Sequence, residues 1–150
     1  MNIDGNVAIV TGAAGGIGSA IARALVAGGA RVVATDLDDE ALERAATEID
    51  PSGENVATLA GDAGSSTHID ATVALAESRF GAVDIYVANA GIGGRPGLAA
   101  SDADWDLALN VNLLAHVRAA RRLVPEWVER GNGYFCLLYT SPSPRDATLS

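Results

Sequence analysis

The chain has 150 residues, a length typical of one domain, and 49% of them are hydrophobic. No stretch approaches the ~18 consecutive apolar residues of a membrane span, and the first residues lack the basic and apolar segments of a secretory signal. A formal net charge of -9 argues against nucleic acid or an anionic membrane surface as a partner, and the single cysteine, Cys136, excludes an intramolecular disulfide framework. We therefore expect a cytoplasmic protein with neither a nucleic-acid nor a membrane partner.

A glycine-rich turn follows the first predicted strand. Residues 7–10 are apolar, the string Thr11-Gly12-Ala13-Ala14-Gly15-Gly16-Ile17-Gly18 interrupts them, and an apolar helical periodicity begins at Ile17. Glycines permit positive φ angles and let the backbone approach a pyrophosphate, and a helix that begins at Gly16 directs free N–H groups at that anion. The pattern predicts a dinucleotide site, and a turn that binds no ligand is the alternative.

Strands and helices alternate through the rest of the chain. The predicted strands cover residues 31–35, ending at Asp36; 55–59, ending at Gly61-Asp62; 83–88, ending at Asn89-Ala90-Gly91; and a fifth that begins at Tyr134-Phe135. The predicted helices cover residues 39–49, capped by Asp38; 67–79, capped by Ser65 or Ser66; and 102–130, with Ser101 and Asp104 placed as a capping box. This alternation predicts an α/β fold with a doubly wound parallel sheet that stops after the start of its fifth strand, and residues 1–135 form the predicted domain.

Asp36 lies 24 residues after Gly12, at the end of the second strand. A carboxylate at that place accepts hydrogen bonds from the adenosine ribose and repels a 2′-phosphate. Leu37 follows it, so no arginine stands beside it to receive that phosphate. The sequence favours NAD over NADP, and a solvated carboxylate at a strand end is the alternative interpretation.

Four motifs, in order, resemble those of the short-chain dehydrogenase/reductase family. They are the cofactor turn (Thr11, Gly12, Gly16, Ile17, Gly18), the adenine-contacting pair Asp62-Ala63, the string Asn89-Ala90-Gly91 beneath the cofactor, and the segment from Trp105-Asp106 to Val111-Asn112-Leu113. The resemblance covers residues 3 to about 135. It places the family's catalytic asparagine on Asn112, with Asn110 the weaker candidate because the family's residue stands in a Val-Asn-Leu context.

The resemblance implies a Rossmann fold and hydride transfer between a nicotinamide cofactor and a small-molecule alcohol or carbonyl substrate. In this family a tyrosine exchanges the proton, a lysine four residues later lowers the pKa of that tyrosine, and a serine orients the substrate. The resemblance also implies a homo-oligomeric parent protein that pairs through the long helix beginning near Asp102.

The tyrosine–lysine pair is absent from these 150 residues, because the chain contains no lysine. The tyrosines are Tyr86, Tyr134 and Tyr139, and the family's serine would fall near residue 140, close to Tyr139 and Ser141. Proline follows Ser141 where the family has small apolar residues. We therefore expect the chain as given to be inactive. A non-catalytic dinucleotide-binding or sensor protein is one alternative, and NAD-dependent epimerase or dehydratase chemistry is another.

The composition changes abruptly at Cys136. The string Cys-Leu-Leu-Tyr-Thr-Ser-Pro-Ser-Pro-Arg-Asp resembles one reading frame of a sequencing-library adapter. We interpret residues 136–150 as a non-native tail. A divergent terminus rich in proline and serine is the alternative.

The remaining polar and aromatic residues give weaker signals. No His, Cys and Asp cluster has the spacing of a metal site. His68 is expected in solvent, and His116, one turn after Asn112, in packing or a subunit contact. Three arginines are expected on a solvated face, namely Arg118, Arg121 and Arg122, and Trp105 and Trp127 are expected to anchor the core or an interface.

Overall fold

The structure is a computed structural model that describes residues 3–93 and 97–138; Tyr139 and Ser141 lie outside the described residues. Its centre is a parallel sheet of five strands in the order β3-β2-β1-β4-β5. The strands are β1 (Val7–Thr11), β2 (Arg31–Asp36), β3 (Val56–Ala60), β4 (Ile85–Ala88) and β5 (Tyr134–Leu137). Every neighbouring pair is parallel, so the predicted α/β fold is confirmed. The last strand continues two residues past 135, because Cys136 and Leu137 pair with β4.

Helices connect the strands as crossovers. They are α1 (Gly16–Ala27), α2 (Asp39–Ile49), α3 (Ser66–Arg79), α4 (Asp102–Leu109) and α5 (Ala115–Arg130), with a 3-10 turn at Gly97–Ala99. The predicted caps are confirmed. Asp38 accepts a hydrogen bond from the N–H of Ala41, Ser65 accepts one from the N–H of His68, and Ser101 and Asp104 form a capping box.

Two apolar cores lie on opposite faces of the sheet, since successive side chains of a strand point to opposite sides. Ala8 and Val10 of β1 pack with Leu25 of α1 and Leu42 of α2 on one face. On the other face, members of β1, α3 and α5 pack together, among them Ile9, Val73, Leu123 and Trp127. The helices therefore cover both faces, as a doubly wound sheet requires.

The two tryptophans have different surroundings. Trp127 is buried, its indole N–H donates to the carbonyl oxygen of Val83 at 2.7 Å, and its ring meets that of Phe135 edge-on. Trp105 is 57% exposed, so it is not a core residue. None of the helices in residues 3–93 and 97–138 is long and apolar enough to cross a membrane.

The predicted long helix is interrupted. Between α4 and α5 lies a turn of π-helix, Asn110–Leu114, which contains both candidate asparagines. A π turn holds one more residue than an α-helical turn and therefore rotates the side chains that follow it. The prediction of an uninterrupted helix over residues 102–130 is wrong at this turn.

Candidate functional site

The predicted site residues meet at the carboxyl ends of the strands. The strand order reverses at β1, which lies between β2 and β4, and such a reversal opens a crevice beyond the strand ends. A cavity of about 260 Å³ lies there. It is lined by residues from the ends of four strands and from the π turn: Gly12, Asp36, Leu37, Gly61, Asp62, Ala63, Asn89, Ala90, Gly91, Ile92 and Val111.

The glycine turn needs its glycines for two different reasons. Gly12 and Gly16 have φ angles of +67° and +55°, which disfavour any residue with a side chain. Gly18 is needed for close packing, because a Cβ there would lie 2.0 Å from the carbonyl oxygen of Gly12. Ile17, between Gly16 and Gly18, is exposed at the N-terminus of α1.

Thr11 and Asn89 join the ends of β1 and β4. The hydroxyl of Thr11 donates to the carbonyl of Val87 at 3.2 Å and accepts hydrogen bonds from the N–H groups of Asn89 and Ala90 at 3.0 and 2.9 Å. In return, the side-chain amide of Asn89 donates to the carbonyl oxygens of Thr11 and Gly12 at 2.9 and 3.1 Å. These bonds fix the glycine turn against the floor of the cavity.

Asp36 is half-buried at the end of β2. One carboxylate oxygen accepts a hydrogen bond from the N–H of Ala14 at 3.0 Å, and the other accepts one from the N–H of Leu37 at 2.7 Å. A carboxylate offers about four lone-pair sites, so acceptor capacity remains for a ligand hydroxyl. Leu37 extends into solvent beside it and offers no positive charge.

The loop after β3 forms the far wall of the cavity. Asp62 accepts a hydrogen bond from the N–H of Gly64 at 2.7 Å, and Ala63 lines the cavity beside it. The N–H of Gly61 donates to the carbonyl of Asp36 at 2.8 Å, so the ends of β2 and β3 are connected.

His68 packs against this loop, so the expectation that its side chain faces solvent is wrong. Its Nε2 lies 2.6 Å from the hydroxyl oxygen of Thr35, and its ring packs where a side chain on Gly61 would lie. Burial lowers the pKa of this histidine, although the carboxylate of Asp62 opposes that shift. One signal was present in the sequence, because His68 stands one helical turn before Thr72, on the buried side of α3.

A second cavity, of about 620 Å³, adjoins the first and shares residues 89–92 with it. Asn112 is in its wall, where its side chain makes paired hydrogen bonds of 2.9 Å with the backbone N–H and carbonyl of Ile92. His116 lines the same cavity, and burial lowers its pKa, against a hydrogen bond to the backbone of Asn112. Asn110 faces the other way, toward Gly64.

The three arginines of α5 differ from one another, and the expectation of one solvated face is wrong for two of them. Arg118 donates to the carbonyl oxygen of Gly64 and to the side chain of Asn110, both at 2.6 Å. Arg122 forms ion pairs with Asp70 and Glu77 of α3 at 3.6 and 3.1 Å. Arg121 is exposed.

These features fit a dinucleotide. The turn at the start of α1 offers a close backbone approach and helix N–H groups for a pyrophosphate, and two carboxylates lie to one side of it. The adjoining cavities could hold the two halves of such a ligand. In the part of the chain that the structure describes, no group of three or more His, Cys, Asp or Glu side chains could hold a metal ion.

Comparison with known proteins gives one consistent result. The family model of the short chain dehydrogenases matches residues 6–135. The 2,3-dihydro-2,3-dihydroxybenzoate dehydrogenase of Bacillus subtilis is 35% identical over 133 residues, which are 87% of this chain and 51% of that protein. The D-threitol dehydrogenase of Mycolicibacterium smegmatis is 35% identical over 132 residues, 87% of this chain and 51% of that protein. The chain thus spans about half the length of these relatives.

Solved structures agree with this result. A 3-ketoacyl-(acyl-carrier-protein) reductase from Brucella melitensis, complexed with NADH, superposes with a TM-score of 0.85 at 34% identity, over 96% of this chain and 61% of that one. A metagenomic short-chain oxidoreductase in complex with NADP gives a TM-score of 0.81 at 36% identity, over 90% of this chain and 62% of that one. With its motifs at the carboxyl ends of a doubly wound sheet, and with these matches, the chain belongs to the short-chain dehydrogenase/reductase family.

Proposed function

We propose that this chain provides the cofactor site of an NAD-dependent oxidoreductase that acts on a small-molecule alcohol or carbonyl compound. The observation that carries the choice of NAD is the half-buried carboxylate of Asp36, which lies in the cavity wall beside the uncharged Leu37. The relatives and the solved structure described above include two dehydrogenases and a reductase, which supports this class of reaction.

In this proposal the residues divide along the two cavities. The turn from Thr11 to Gly18 holds the pyrophosphate, Asp36 accepts from the adenosine ribose, and Asp62 with Ala63 borders the adenine. Asn89, Ala90 and Gly91 form the floor that the two cavities share. When bound, the cofactor supplies a hydride acceptor in its oxidised form, NAD, and a hydride donor in its reduced form, NADH. Asn112 borders the larger cavity, on the side proposed for the nicotinamide and the substrate.

Cofactor choice follows from charge. The 2′-phosphate of NADP carries roughly two negative charges, and its repulsion from a carboxylate about 4 Å away amounts to about 2 kcal/mol even at the dielectric constant of water. No arginine follows Asp36 to compensate for it. We therefore expect NAD to bind at least about tenfold more tightly than NADP.

Calorimetric titration of the chain with NAD and with NADP tests this. Asp36→Asn removes the charge and keeps one of the two acceptor oxygens, so it should weaken NAD binding and strengthen NADP binding. Asp39→Asn, in the exposed first turn of α2, is the matched control and should change neither. Equal or tighter binding of NADP by the unaltered chain would refute the choice of NAD, and binding of neither would refute the proposed function.

We propose further that these 150 residues bind the cofactor without turnover. The described tyrosines are unsuitable as proton donors. Burial raises the pKa of Tyr86, which stacks on Phe135 in the core on one face of the sheet. Tyr134 is half exposed, and Leu138 stands four residues after it where the family has lysine. NADH formation measured with a panel of alcohols should stay at the level of a protein-free blank, and turnover would refute this.

We propose a homo-oligomer for the parent protein. Several apolar side chains of α4, the π turn and α5 are exposed, among them Trp105, Leu109, Leu113, Val117 and Val124. Sedimentation of the parent protein tests this proposal, and a monomer at micromolar concentration would refute it.

A further inference from the structure

The two asparagines of the π turn serve opposite sides of the site. Residues two positions apart on a helix point in roughly opposite directions, about 200° apart for an α-helix. Asn112 accordingly binds the backbone of Ile92 in the larger cavity, whereas Asn110 points toward the loop after β3. The second of these contacts lies outside the roles described so far.

Arg118 connects α5 to that loop. Its Nη1 donates to the side-chain oxygen of Asn110 and to the carbonyl oxygen of Gly64, 54 residues away in the sequence, at 2.6 Å each. Arg118 is half-buried, and charge-assisted hydrogen bonds are stronger where water is partly excluded. The guanidinium therefore holds two elements that are far apart in the sequence.

Both backbone polar groups of Gly64 are occupied in this way. Its carbonyl accepts from Arg118, and its N–H donates to the carboxylate of Asp62 at 2.7 Å. Gly64 is buried, and a Cβ on it would lie 2.4 Å from the amide nitrogen of Asn110. The path from Arg118 to Asp62 thus runs through one tightly packed residue.

We propose that Arg118 is a positioning residue for the adenine side of the cofactor site and that it acts through Asp62. The proposal rests on the proposed binding of NAD. By holding Gly64, Arg118 fixes the N–H group that orients the Asp62 carboxylate. Loss of the guanidinium releases the loop, and Asp62 then no longer faces the adenine in one orientation.

A double-mutant cycle on NAD affinity tests this path. Arg118→Met keeps the unbranched stem that packs on the protein and removes the donors, and we expect it to raise the Kd for NAD about fivefold to tenfold. In the background of Asp62→Ala the same change should raise Kd less than about twofold, because the residue that it positions is gone. Arg121→Met, on the exposed part of the same helix, is the matched control and should leave Kd unchanged.

A purely structural role for Arg118 predicts a different result. It would weaken binding equally in both backgrounds, so additive effects overturn the proposal, as does an unchanged Kd in Arg118→Met. Asn110→Ala provides a milder second variant that removes one acceptor of the same guanidinium. Asn110→Ala should raise the Kd for NAD by about twofold to threefold, again only when Asp62 is present.

Amide hydrogen exchange in the absence of cofactor separates this proposal from the proposed function. Exchange at the Gly64 N–H should accelerate at least about tenfold in Arg118→Met, while the amides of β1 keep their protection. If no variant binds NAD, the proposed function fails, but faster exchange confined to this loop still supports the positioning of Asp62 by Arg118. Unchanged exchange at Gly64 overturns the proposal whether or not NAD binds.

Discussion

Thr11 provides the sharpest test of how the cavity floor is held. Thr11→Val replaces a buried hydroxyl by a methyl group of similar size and removes one donor and one acceptor from the junction of β1 and β4. The N–H of Asn89 keeps a second acceptor, the carbonyl of Val87 at 3.1 Å, whereas the N–H of Ala90 has no acceptor other than the hydroxyl among the residues that the structure describes.

The magnitude follows from that difference. One N–H group left without an acceptor in a half-buried site costs about 1–3 kcal/mol, and the weakened bonds to Asn89 and Val87 add about 1 kcal/mol. We expect Thr11→Val to lower the free energy of unfolding by about 2–4 kcal/mol. Thr11→Ser keeps the hydroxyl and loses one methyl group, so it should cost about 1 kcal/mol.

Urea unfolding followed by circular dichroism measures both changes. The midpoints should fall in the order unaltered chain, Thr11→Ser, Thr11→Val, with a common slope against denaturant. If Thr11→Val were as stable as Thr11→Ser or more so, the hydroxyl would contribute nothing, and the reasoning about the junction would be wrong.

Three further predictions concern the glycine turn, the histidines and the core. Gly18→Ala should destabilise the fold by about 2 kcal/mol or more and raise the Kd for NAD over tenfold, because its Cβ would overlap rigid backbone. Gly15→Ala has open space and extended φ and should stay within about 0.5 kcal/mol in thermal unfolding, and similar losses for both glycines would contradict this explanation. Burial lowers the folded-state pKa of His68 and of His116 from 6.5, so the unfolded chain binds more protons just below that pH. The free energy of unfolding should therefore fall as the pH drops from 6.5 toward those lower pKa values. Its slope against pH should be smaller when both histidines are replaced by asparagine, and an unchanged slope would contradict the assignment to these histidines. Trp127→Phe removes a buried hydrogen bond and part of a packed ring and should cost about 2 kcal/mol in urea unfolding, and a loss below about 0.5 kcal/mol would show that the indole N–H contributes little.

The elements were readable from the sequence because their signals are local. Apolar runs, caps and glycines set the strands and helices to within one or two residues, as at α2, where Asp38 caps a helix that begins and ends as predicted. The fourth strand is shorter than predicted because its pairing with β1 begins at Ile85, although Val83 is buried in front of it.

The candidate site was only partly readable from the sequence, because some of its contacts join distant positions and leave no local signal. Motif residues that follow strands fall together once the strands are parallel, so Asp36, Asp62 and Asn89 could be grouped in advance. The contacts of His68 and Arg118 join positions 33 and 54 residues apart, and no local periodicity reports such pairs. The π turn was missed as well, because its residues are compatible with an ordinary helix.

The junction between Thr11 and Asn89 has a consequence for the thermodynamics of binding. Its hydrogen bonds, and the one from Ala14 to Asp36, join protein groups to one another across the ends of β1, β2 and β4. Ordering a loop on association consumes conformational entropy and reduces affinity, and cavity walls that are held by their own hydrogen bonds have less conformational entropy to lose. Association at this cavity should therefore resemble the docking of a rigid surface, with a modest entropic penalty on the protein side.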